Sequence, residues 1–156
     1  MSPKRIDVSS LDRVVGAKYP PPFDRPIAKR VVQRIAAAGG LTQFGVTRVL
    51  LPPGAWSSQR HWHEREDELV YVLDGELVLV TDGGEETLRA GDAAAFKAGV
   101  RDGHHLQNRS EQDAVFLVVG TRDDADSGEY PDIDMVFGPN RYSGQGSYRR
   151  KDGTEY

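Results

Sequence analysis

Gly54 to Gly75, GAWSSQRHWHEREDELVYVLDG, is the stretch from which the fold can be read. It holds two of the chain's four histidines, His61 and His63, with Glu68 five positions after the second. Side chains alternate along an extended strand, so His61 and His63 point to one side. Two imidazoles on one side, with a carboxylate nearby, suit a borderline or hard divalent ion. The other two histidines, His104 and His105, lie in GDAAAFKAGVRDGHHLQN, Gly91 to Asn108. The rest of the chain is expected to bring these two stretches together.

Outward from the histidines, strand signals dominate. LTQFGVTRVLL ends at Pro52-Pro53-Gly54, a strong turn. ELVYVLDGELVLVTDGG predicts a hairpin with Asp74-Gly75 at its tip. A second turn is expected at Asp82-Gly83-Gly84. DAVFLVVG is a continuous apolar run and predicts a buried strand. Short strands between Gly-rich turns indicate an all-β sandwich or small barrel. Residues 27–38, IAKRVVQRIAAA, carry helical spacing with Gly39 as a possible cap, yet they are β-branched; a strand is expected over Arg30 to Ile35. Residues 1–26, with PPPF, read as an extended arm. Residues 121–156 are rich in Asp, Gly, Arg and Tyr, but Tyr130, Met135, Phe137, Tyr142 and Tyr148 are too many anchors for disorder. They predict an arm lying over the barrel or over a partner subunit.

Composition narrows the classes. A chain of 156 residues is long enough for one domain with a core and too short to suggest two. The net charge of -4 argues against nucleic acid as a partner. There is no cysteine, so any metal must be held by nitrogen and oxygen. No apolar run approaches the roughly 20 residues of a membrane span, and no signal peptide is evident. No membrane partner and a cytoplasmic location are therefore expected.

Strand parity sorts the neighbours. With His61 and His63 inward, Ser57 and Gln59 share their side, while Arg60 and Trp62 face out. Glu68 reaches the same interior only if the chain turns within Glu64–Asp67, which reads as a solvated loop. Val70 and Val72 then point in, and Leu69, Tyr71 and Leu73 point out. In the second stretch His104, Leu106 and Asn108 share a face. His105 alternates outward and reads as structural or solvent-facing. Asn108 reads as a residue that satisfies the backbone. Lys97 and Arg101 either draw an anionic substrate to the mouth or are simply exposed. A lone His-x-His pair is more often a surface or core pair than a metal site.

Together the two stretches resemble the two motifs of the cupin superfamily. Gly54, His61, His63, Glu68 and Gly75 follow the first, with one extra residue before His61. Gly91, Gly99, His104 and Asn108 follow the second, with Lys97 at the proline position and two extra residues before His104. The resemblance implies a cupin-type jelly-roll β-barrel, with a core of about 42–120 in a single domain of 1–156 and extended arms at 1–41 and 121–156. It further implies that His61, His63, Glu68 and His104 hold one divalent transition metal per chain. Fe, Mn, Ni, Co, Zn and Cu all accept such donors.

A cupin barrel hosts many chemistries, so fold alone does not name a reaction. The expectation is a metal-dependent enzyme, oxygenase-like, acting on a small polar or anionic molecule. The alternative is a non-catalytic module that binds or senses a small ligand. A homodimer is expected, because the face carrying Leu69, Tyr71 and Leu73 is apolar and needs a cover.

Overall fold

The computed structural model describes residues 4–144 and 146–156. In chain order the strands are β1 (Val14–Val15), β2 (Val31–Arg34), β3 (Phe44–Leu51), β4 (Trp62–His63), β5 (Glu68–Asp74), β6 (Glu76–Thr81) and β7 (Gly84–Arg89). They continue with β8 (Ala93–Phe96), β9 (His105–Gln107), β10 (Ala114–Thr121), β11 (Gly128–Tyr130), β12 (Met135–Phe137) and β13 (Tyr148–Arg149). A single helical turn, α1 (Ile35–Ala38), follows β2 directly. The β-branched half of the ambiguous segment is thus a strand. Its alanine-rich half is the helical turn, closed by backbone bonds from Gly39.

One wall is a six-stranded sheet in the order β1-β2-β3-β10-β5-β8. β10, the continuous apolar run, pairs with both β3 and β5, which is why it has no polar face. The opposite wall combines the sheet β7-β6-β9 with the sheet β13-β12-β11-β4. An isolated bridge between His61 and His104 lies between them. The resulting jelly-roll barrel is all-β, as the sequence predicts. Val49, Leu51, Val70, Val72, Leu77 and Phe116 fill the space between the walls. Each such side chain contributes about 1.5–3 kcal/mol on burial.

The expected hairpin at Asp74-Gly75 does not form. β5 pairs with β10 and β8, whereas β6 pairs with β7 and β9. Both edges of β5 are taken, so the chain crosses from one wall to the other at Gly75. That residue has φ of 80°, and an added Cβ would lie 2.7 Å from the Asp113 carbonyl oxygen. A two-residue turn signal specifies a reversal but not the neighbour that receives the next strand. The hairpin forms one turn later, where Thr81 pairs with Gly84.

The flanking segments are built into the sheets. β1 pairs with β2, and Tyr19 and Phe23 pack against Tyr130 and Met135, so the first segment is more than an extended arm. The C-terminal segment lies over its own barrel, where β11 pairs with β4. That pairing sets Gly128 opposite His63 and Glu129 opposite Trp62.

Candidate metal centre

Glu68 opens β5 with its carboxylate inward, because Glu68, Val70 and Val72 share a face and the two valines are buried. Its Oε1 lies 3.2 Å from His104 Nε2 and its Oε2 lies 3.6 Å from His63 Nε2. The His61 ring lies 4.9 Å, centroid to centroid, from both the His63 and the His104 rings. Donor atoms of His61, Glu68 and His104 all fall within 4.8 Å of one another, a grouping that could hold a metal ion. All four residues singled out in the sequence are therefore brought to one place.

The chemistry of the donor set fits a metal. His61 Nδ1 lies 2.9 Å from the Gln59 carbonyl oxygen, which only accepts. The proton therefore sits on Nδ1 and leaves the Nε2 lone pair free. Burial, with the neighbouring His104 and His63, pushes the His61 pKa down to about 3, so the ring is neutral and ready to ligate. His63 Nδ1 donates to Asp126 Oδ2 at 2.7 Å, which turns its Nε2 toward Glu68. A carboxylate behind a ligand imidazole fixes its orientation and raises its basicity. Burial opposes charge on His63, but hydrogen bonds with Asp126 and Glu68 prevail and hold its pKa at about 9. For Glu68, burial is likewise outweighed by the imidazoles, and the carboxyl stays well below its usual range. His104 stacks on Phe96 with ring centroids 3.5 Å apart, and its Nδ1 is buried without a partner.

Several neighbours depart from expectation. Glu66 is not part of a solvated loop. It is 5% exposed, accepts from Arg141 Nη2 at 2.7 Å and from the Tyr142 hydroxyl at 2.6 Å, and caps the Asp123 N–H at 2.9 Å. The C-terminal segment supplies the partners that make this burial tolerable. Arg141 also reaches Asp126 Oδ2 at 3.0 Å, so Asp126 links His63 to the arginine. Trp62, on the side of β4 opposite His63, is buried, with the Arg101 guanidinium 5.0 Å above its ring. His105 is structural but not solvent-facing: it is 4% exposed, and its Nδ1 donates to the Ser58 carbonyl at 2.9 Å. Asn108 satisfies backbone as expected, donating to the carbonyls of Leu51 and Gln112 at 2.7 Å each. Tyr71 is 42% exposed and outward, together with Leu69 and Leu73.

A cavity of about 1070 Å³ opens over the cluster, with His61, His63, Glu68 and His104 in its wall. Lys18, Arg30, Arg34, Arg122 and Arg141 bring five cations to its lining. Glu66, Glu68 and Asp124 bring three carboxylates, in a chain whose net charge is -4. Tyr130 stands beside His61, ring centroids 5.7 Å apart, and packs edge-on to Tyr19 at 5.6 Å. Burial raises both phenols, Tyr19 to about 12, so they are hydrogen-bond donors at neutral pH. Nothing in the sequence marks Asp126, Arg34 or Arg122 as residues of the site. They lie outside the motif stretches, and no local spacing marks them.

Residues 47–120 match the family model for the cupin domain. The crystal structure of a sugar phosphate isomerase of the cupin superfamily from Silicibacter pomeroyi is 43% identical, covers 97% of this chain and 96% of its own, and superposes with a TM-score of 0.92. A putative sugar phosphate isomerase from Acidithiobacillus ferrooxidans is 28% identical over 83% of this chain and 81% of its own, with a TM-score of 0.74. An oxalate-binding protein of Thermotoga maritima is 38% identical over 72 residues, 46% of this chain; the chain spans 57% of that curated relative. The chain belongs to the cupin superfamily.

Proposed function

We propose that the protein is a metal-dependent enzyme that interconverts aldose and ketose forms of a small phosphorylated sugar. His61, His63, Glu68 and His104 would hold one divalent transition metal, whose identity nitrogen and oxygen donors do not set. The observation that carries the reading is the pairing of this cluster with a cation-lined cavity in an acidic protein. Excess positive charge in a concave wall attracts an anion, and an unphosphorylated neutral sugar would not need it. The similarity to the Silicibacter pomeroyi isomerase over nearly the whole chain supports the same class. An oxygenase acting on an anionic molecule would use the same ligands and cations, and the likeness to the isomerase favours the present reading over it.

A bound metal would polarise a substrate carbonyl or hydroxyl as a Lewis acid. The chain's own groups would do the rest. Tyr130, kept protonated, would offer its hydroxyl as a donor beside His61. Phe96 and Phe137 shield the imidazoles from water. The cations orient the anionic end.

A non-catalytic binding module remains the second reading, favoured by one observation. Glu66, a buried carboxylate in the cavity wall, is tied to Arg141 and Tyr142 and is not free to act as a base. Interconversion of aldose and ketose phosphates, followed by NMR on metal-loaded protein, separates the two. Interconversion that is lost in a His61→Ala/His63→Ala double variant supports the enzyme. Absence of interconversion with pentose and hexose phosphates at full metal loading refutes it.

We also read the chain as one domain that assembles as a homodimer. Leu69, Tyr71 and Leu73 are 40%, 42% and 44% exposed on one sheet face, which supports a self-complementary contact.

A further inference from the structure

We propose that Arg34 and Arg122, on either side of Thr47, form the subsite that holds the phosphate group, set apart from the metal cluster by the side-chain-free position of Gly120. The proposal rests on the sugar phosphate reading and places that substrate in the cavity.

Strand register sets the layout. Glu68 of β5 is paired with Gly120 of β10, and Gly120 is paired with Gly45 of β3. Gly120 therefore brings no side chain beside Glu68. Two inter-strand spacings put Gly45 roughly 10 Å from Glu68. Arg122 fills the space above Gly45: a Cβ there would meet its Nη2 at 2.6 Å. The far side of the guanidinium rests on the Tyr142 ring, 4.3 Å from the centroid. Arg122 is therefore positioned by stacking, and among the described residues it makes no ion pair.

Arg34 approaches from the other side. It is paired with Thr47, which shares the inward face of β3 with Gly45 and Val49. Arg34 also makes no ion pair among the described residues. The other two arginines of the lining are committed. Arg30 donates to the carbonyls of Ser57 at 2.6 Å and Gly16 at 3.0 Å, and Arg141 holds Glu66 and Asp126. That leaves two forked guanidinium groups and one hydroxyl facing a common space, the donor set that suits a tetrahedral dianion. A pentose or hexose phosphate can span from this point past Gly120 to Glu68.

Calorimetric titration of metal-free protein with inorganic phosphate tests the site without the reaction. The wild-type protein is expected to bind phosphate, and Arg34→Gln or Arg122→Gln each to weaken it about tenfold or more, since a charge-assisted hydrogen bond contributes about 1.5–3 kcal/mol. Arg122→Lys, which keeps charge but loses the fork, should fall between. Metal content should not change in any of them, and Arg89→Gln, outside the cavity, should bind as wild type. Unchanged phosphate affinity in both glutamine variants, or no binding by the wild type at millimolar phosphate, overturns the subsite. The subsite and the reaction can fail separately. Loss of phosphate binding without any sugar isomerisation leaves the subsite standing and removes the isomerase. Isomerisation with wild-type KM in both variants does the reverse.

Discussion

His63 Nδ1 and Asp126 Oδ2 lie 2.7 Å apart, although 63 positions separate the residues in the chain. The contact follows from register, because Gly128 of β11 is paired with His63 of β4. Asp126 is fully buried and is anchored on its other oxygen by the Arg65 N–H at 2.9 Å. Asp126→Asn should leave the fold in place and weaken metal binding 10- to 100-fold, the usual effect of losing an outer carboxylate behind a ligand histidine, by about that measure. Competition against a chromophoric chelator reads this directly. Wild-type affinity in the variant would remove Asp126 from the metal's support.

Metal should stabilise the barrel without being required for it. The core between the walls is apolar and independent of the histidines. Binding to the native state alone adds about 2.7 kcal/mol when the metal is at a hundred times its Kd. For a chain of this size that corresponds to a melting shift of roughly 5–10 °C. Chelation should lower Tm by this order and preserve the far-UV circular dichroism at 25 °C. A chelated chain that is unfolded at that temperature contradicts the expectation. His61→Ala with His63→Ala should remove both the metal and the chelator's effect.

The metal-free protein should be most stable near pH 6.5. The folded pKa of His63 is raised to about 9, so its contribution is complete below about 6.5 and is lost as pH rises through 9. The folded pKa of His61 is lowered to about 3, so its unfolded form takes up a proton first and stability falls as pH drops below about 6.5. Each group has a limiting slope of about 1.4 kcal/mol per pH unit. Urea unfolding at pH 5, 6.5 and 8.5 should show the maximum in the middle. A monotonic profile across that range would contradict the assignment of the two histidines.

Much of this site was legible in local spacing, and much of it could not be. His61, His63 and Glu68 lie within one strand–turn–strand, and His104 follows from the second motif, so short-range pattern finds them. Val70 and Val72 inward and Leu69, Tyr71 and Leu73 outward follow from alternation alone, and the exposures agree. The burial of Glu66 is not legible locally, because it depends on Arg141 and Tyr142, 75 and 76 positions away. The crossing at Gly75 is not legible either, because a turn signal carries no information about which strand edge is still open. Arg34 and Arg122 meet only through the pairing of β2, β3 and β10, which no local window contains.

Gly128→Ala should be the most damaging small substitution in the C-terminal segment. A Cβ at this position would collide with the Trp62 carbonyl oxygen and with the Phe137 ring, and backbone cannot move aside as a flexible side chain can. Overpacking of this kind costs about 1–3 kcal/mol or more. Because the same pairing places Asp126, the variant should lose metal affinity along with Tm. A variant as stable as wild type would show that β11 can shift without consequence.

The exposed face of β5 gives a direct test of assembly. Sedimentation equilibrium at micromolar concentration should give twice the 17.2 kDa chain mass, and Tyr71→Glu should return it to one. A wild-type protein at the single-chain mass would show that this face needs no cover.

The separation of His63 from Asp126 also sets the order in which the protein can become competent during its own synthesis. β3 and β10 bracket the barrel core, so the apolar interior can close once residue 121 has been made. At that stage His61, His63, Glu68 and His104 are all present, yet Asp126, Tyr130 and Arg141 are still to come. A metal captured then would meet a histidine with no carboxylate behind it and a cleft without its tyrosine wall. Contacts of long sequence separation form slowly because loop closure precedes any reward. Retention of an ion would thus depend on β11 and β12 being in place, and a barrel truncated before them is expected to hold it less tightly.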